Sequence, residues 1–119
     1  MREQKSLRLR NYSHFSAILL TGGMTLSSGG PAQALTADDV LNKMNTDHQT
    51  SYVAGVIGGL AYSRFLRDKP DQSGMDCIYR WYYGSGSEKW TQIETWFSRH
   101  LEKEAEPLLY VLVKRECGE

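Results

Sequence analysis

Beyond position 34, two cysteines and two histidines are the side chains best suited to nucleophilic or metal chemistry, and their spacing limits what they can do. Cys77 sits in the aromatic stretch DCIYRWYYG, residues 76–84, and Cys117 lies two residues from the C-terminus. A structural zinc site needs about four ligands. His48 and His100 are far apart in sequence, and neither C-x-x-C nor H-x-x-x-H spacing occurs, so no metal is expected. A catalytic cysteine needs a base to make its thiolate. His100 could be that base only by a tertiary coincidence, and a satisfied surface histidine is the expectation for it. Two cysteines with no others pair most simply in an oxidising compartment. A Cys77–Cys117 disulfide would close a loop of about 40 residues and contribute roughly 4 kcal/mol in the chain-entropy model.

The carboxylates are plentiful but carry no recognisable chemistry. Asp38 and Asp39 follow Thr36 at the start of an apolar-periodic segment, which suits helix-capping acids better than a catalytic pair. Asp68, Asp71 and Asp76 miss the calcium-loop spacing. GVIGG, residues 55–59, has neither the G-x-G-x-x-G form nor the G-K-[ST] form of a phosphate loop. Neither G-x-S-x-G nor H-E-x-x-H occurs. No catalytic residue and no cofactor is assigned, and the chain is expected not to be an enzyme.

The compartment is read from the first residues. Arg2, Lys5, Arg8 and Arg10 face a lone Glu3, and Phe15 to Leu26 holds no ionisable group. Small residues follow, ending in Ala32-Gln33-Ala34. A basic start, an apolar middle and an A-x-A end are the pattern of a secretory signal peptide. A spanning helix needs roughly 20 apolar residues, which this run does not reach. Residues 1–34 are therefore expected to be a cleaved export signal, with a periplasmic product and no membrane span afterwards. Leu35 to Glu119 holds ten Lys and Arg against thirteen Asp and Glu, a net of −3. That sign argues against nucleic acid or an anionic membrane as partner.

The elements that must position these residues follow from periodicity. A helix is expected from LTADDVLNKMN, with Thr36 as N-cap and Val40, Leu41 and Met44 as its stripe. A longer helix is expected from TDHQT to Pro70, apolar on more than one face and so running through the centre of the domain. Its Gly55, Gly58 and Gly59 each cost about 1 kcal/mol relative to Ala. Close packing of another helix or a ring against them is the expected return. RDKPDQSGMD is read as a turn, and CIYRWYYG as strand by propensity or as a short helix capped by Asp76 and ended by Gly84. No partner strand is visible, which favours helix. Its aromatics weigh towards core over a sugar or peptide platform. SEKWTQIETWFSRHLEKEAE is a helix that Ser87 can cap, with Trp90, Ile93, Trp96, Phe97 and Leu101 along one side. EPLLYVLVKRECGE is a last helix, with Pro107 in its first turn, Leu108, Leu109, Leu112 and Val113 inward and Gly118 at its end. The sum is an all-α single domain over residues 35–119, a bundle of four to five helices stapled by one disulfide.

The order SYVAGVIGGL, CIYRWYYG, WTQIETWFSRH and LLYVLVKREC, over roughly residues 50–117, resembles the Rap/Tai-type periplasmic immunity proteins. Those proteins protect bacteria from type VI secreted peptidoglycan amidases. The resemblance implies an exported, helical, disulfide-bonded protein that binds a cell-wall amidase and blocks its active site without turnover. It leaves a homodimer open. A different class, the periplasmic acid-stress chaperone, also fits a small exported helical domain with one disulfide. Such a protein loosens as its carboxylates protonate.

Overall fold

The computed structural model describes residues 33–119. The expected export segment lies outside them except for Gln33 and Ala34. A π-helical turn, Asp39–Lys43, precedes four α-helices: α1 Thr46–Asp68, α2 Ser73–Gly84, α3 Glu88–Ser98 and α4 Ala105–Cys117. No strand lies among the described residues, and one isolated antiparallel bridge joins Thr36 to Glu104. The fold is all-α, and the Cys77–Cys117 disulfide is formed, with the two Cα atoms 5.8 Å apart.

The first turn, α1 and α2 each start for a local reason. Thr36 Oγ1 accepts from the Asp39 N–H at 3.2 Å, and Asp39 Oδ2 accepts from the Thr36 N–H and hydroxyl at 2.9 Å each. This reciprocal pair is a capping box. Asn45 caps α1 by accepting from the His48 N–H at 2.9 Å. The aromatic segment is helical, and α2 starts at Ser73, earlier than a cap at Asp76 would place it. The Asp71 carboxylate, accepting from the Ser73 N–H at 2.9 Å, holds that start. Ser87 makes no side-chain cap bond to α3. α3 also stops at Ser98, well short of the expected run, because the chain beyond it serves another purpose. Leu101 and Lys103 carbonyls accept from the Asp38 and Ala37 N–H groups at 3.0 and 2.8 Å, and the Leu35 carbonyl accepts from Ala105 N–H at 2.9 Å. The start of the domain is thus stitched to the α3–α4 turn. α4 ends as expected: Gly118 has φ +72°, and its N–H donates to the Lys114 carbonyl at 2.9 Å.

One hydrophobic core runs through all the elements. Val40, Ile57, Ile78, Ile93, Phe97 and Leu109 are at its centre. Trp81 and Tyr82 are buried in it as well, so half of the aromatic segment is core. The polar tips find partners, Trp81 Nε1 donating to Gln92 Oε1 at 2.9 Å and Trp96 Nε1 to the Leu108 carbonyl at 3.2 Å. α1 does not run through the centre. It buries Val53, Ile57 and Ala61, which recur every four residues and define one face. Gly55, Gly59, Tyr62 and Leu66 fall on the opposite, exposed face.

The bridge spans 40 positions. Reducing it should therefore lower the unfolding free energy by about 4 kcal/mol, measured by chemical denaturation with and without reductant. An unchanged midpoint would mean that helix packing alone secures the C-terminus.

Candidate functional site

The residues singled out for chemistry are dispersed. His48 lies in the exposed first turn of α1. His100 follows α3, its ring edge-on to Trp96 with centroids 4.3 Å apart. Cys77 and Cys117 are bonded to each other. Among the described residues, no group of three or more His, Cys, Asp or Glu side chains is arranged to hold a metal ion.

Asp38, Asp39 and Asp68 are held in ion pairs and caps. Asp39 accepts from Lys43 Nζ at 2.7 Å, and that bond, with those from Thr36, lowers its pKa to about 2. Asp38 is lowered by its hydrogen bond from Asn42 and then by Lys43. Asp68 is lowered by Arg64 and then by Arg67. Tyr52 is the exception to this surface pattern. Its hydroxyl is buried outside hydrogen-bond geometry, and burial, then the nearby Glu106 carboxylate, raises its pKa.

Arg64 joins three parts of the molecule. Its guanidinium pairs with Asp68 one turn on and donates to the Gly118 carbonyl at 2.9 Å. Its stem lies under α2 at Gly74: a Cβ there would stand 2.5 Å from Arg64 Nε and 2.8 Å from Cγ and Cζ. A lone Gly in a turn-like stretch and an Arg near a helix C-terminus have ordinary local explanations, and only their tertiary contact gives them this role.

The close packing expected of Gly55, Gly58 and Gly59 is absent. A Cβ at any of the three would meet nothing within 4 Å. Gly55 and Gly59 face away from the core and Gly58 sits half-buried beside them, because the buried face is set by Val53, Ile57 and Ala61. Comparison with family models, curated proteins and solved structures returned no match.

Two exposed surfaces stand out. On α1, the three glycines adjoin Tyr62, 57 % exposed, and Leu66, 46 % exposed. On α2, Asp76, Tyr79, Arg80 and Tyr83 share one face by their three- and four-residue spacing. No helix among the described residues is long and apolar enough to cross a membrane.

The glycines give opposite expectations at opposite sites. Gly55→Ala and Gly59→Ala should each stabilise the fold by about 0.5–1 kcal/mol. Gly74→Ala should instead cost about 1–3 kcal/mol, because the new methyl overlaps Arg64. Thermal unfolding of the three variants checks the signs.

Asp39 and Asp68 have folded-state pKa values below the ordinary 3.8. Their contribution is complete above that value and is lost as pH falls through the folded-state values, the lower limit for Asp39 being about 2. The melting temperature should thus be insensitive to these groups at neutral pH and fall on acidification below 3.8. Asp39→Asn should flatten part of that fall.

Proposed function

We propose that this chain is an exported, non-enzymatic binding protein of the amidase-immunity kind, acting in the periplasm by seating on a cell-wall hydrolase and blocking it. The observation that carries the reading is the outward glycine face of α1. Three glycines in one helix lower the stability of a small domain, each by about 1 kcal/mol, and among the described residues no contact uses the space they leave. A partner's backbone or ring approaching α1 closely is the physical use for that space. Tyr62 and Leu66 beside it offer apolar area to the same partner.

Other features support the same reading. The Cys77–Cys117 bond suits an oxidising compartment. The net charge of −3 over residues 35–119 favours a basic partner surface. The order of segments resembles the Rap/Tai-type proteins over most of the domain.

A second reading, an acid-stress chaperone, draws on Asp39 and Asp68, whose ion pairs are lost in acid. It requires tertiary packing to loosen once those carboxylates protonate. Near-UV circular dichroism that survives at pH 3 would remove it.

Binding to a purified peptidoglycan amidase, followed by calorimetry and by inhibition of cell-wall hydrolysis, tests the first reading. Gly59→Leu should fold at least as stably as the parent, since nothing lies within 4 Å of its Cβ, yet weaken binding by about a hundredfold or more through the lost close approach. A complex that tolerates Gly59→Leu and Gly55→Leu would exclude this face as the interface. A self-association lost in those variants, with no amidase binding, would make the face a homodimer contact instead.

A further inference from the structure

The outer face of α2 has a different character from α1. Asp76, Tyr79, Arg80, Tyr83 and Gly84 line a shallow depression of about 500 Å³. Tyr83 is 62 % exposed, and three side chains flank its ring. The buried Tyr82 meets it edge-on with centroids 4.8 Å apart, Tyr79 lies 6.1 Å away at a 36° tilt, and the Lys89 ammonium sits 5.8 Å from its centroid. Tyr82 is itself fixed in the core and carries the same ammonium at 4.5 Å. An exposed ring anchored in this way loses little freedom when something stacks on it, which is the condition for a preorganised platform.

The polar groups at the rim define what that something is. Among the described residues, neither the Asp76 carboxylate nor the Arg80 guanidinium is in an ion pair or a side-chain hydrogen bond. A carboxylate only accepts hydrogen bonds and a guanidinium only donates them. A ligand satisfying both must donate and accept within a few ångströms, and hydroxyl groups do so. A ligand carrying charge of only one sign would meet a like charge here, in Asp76 or in Arg80 and Lys89. The negative face of a phenol ring attracts weakly positive hydrogens, and the C–H face of a pyranose presents them.

We infer that the outer face of α2 is a binding site for a neutral saccharide, one pyranose ring stacking on Tyr83 and Tyr79 while its hydroxyls bridge Asp76 and Arg80. This site is independent of the amidase reading, which concerns α1, and either can fail without the other.

The test is a nuclear magnetic resonance titration of the purified, disulfide-bonded protein with two neutral trisaccharides, one of N-acetylglucosamine and one of glucose. At least one should shift amides confined to residues 76–84, with a dissociation constant of about 1 mM or tighter. Tyr83→Ala should weaken binding about tenfold, Tyr83→Phe should retain it, and Asp76→Asn and Arg80→Gln should each weaken it. Tyr83 is exposed, so the variants are expected to fold, and far-UV circular dichroism checks that they do. No shift with either sugar well above that concentration overturns the site. So does equal affinity in Tyr83→Ala, or an amidase complex that is lost in Tyr83→Ala when no sugar binds.

Discussion

The Cys77–Cys117 bond joins the middle of the fold to the last residue of α4, and the arrangement around α1 depends on it. With Cys117 held against α2, the carbonyl of Gly118 comes within reach of the Arg64 guanidinium. Arg64 then lies between the end of α1, the start of α2 and the C-terminal tail, paired with Asp68 and covered by Gly74. The covalent link and the half-buried Arg64–Asp68 ion pair act on the same junction. A tail of this kind would ordinarily fray, and here it closes one end of the bundle. The other end is closed by backbone bonds between residues 35–38 and the α3–α4 turn, where Thr36 and Asp39 cap each other.

Closing both ends leaves the long faces of the helices free to differ. α1 turns Val53, Ile57 and Ala61 inward and leaves its glycines bare. α2 turns Ile78, Trp81 and Tyr82 inward and leaves Tyr79, Arg80 and Tyr83 at the outer side. The bare glycine face offers depth and no chemistry, which suits the close approach of another chain. The tyrosine face offers rings and two opposed polar groups over a small area, which suits a small hydroxylated ligand. The two surfaces thus lend themselves to different occupants, and the acidic balance of the domain disfavours nucleic acid at either.

Small domains have little core to spare, so features that lower stability without any return inside the chain are informative. Gly55, Gly58 and Gly59 are such features, and Gly74 is not. The difference lies entirely in what surrounds each one. Gly74 admits Arg64, which ties three segments together, whereas the α1 glycines border open space.

Much of the architecture was legible in the residues themselves. Apolar spacing at three and four positions marks α3 and α4, and Gly118 marks the end of α4, because these are local effects of helix geometry and backbone freedom. Two cysteines with no alternatives decide their own pairing once the compartment is oxidising. The aromatic segment was balanced between strand and helix because seven residues of mixed rings carry too little periodicity, and packing between α1 and α4 resolved it. The start of α2 was set by a local bond to Asp71 inside a stretch that reads as a turn, and the end of α3 by backbone bonds to residues 35–38, contacts that sequence spacing does not encode. Which face of α1 is buried, what Gly74 touches and which tyrosines remain outside were decided only by the tertiary structure. A side chain's periodicity gives the face it belongs to, but the neighbours that cover that face come from other parts of the chain.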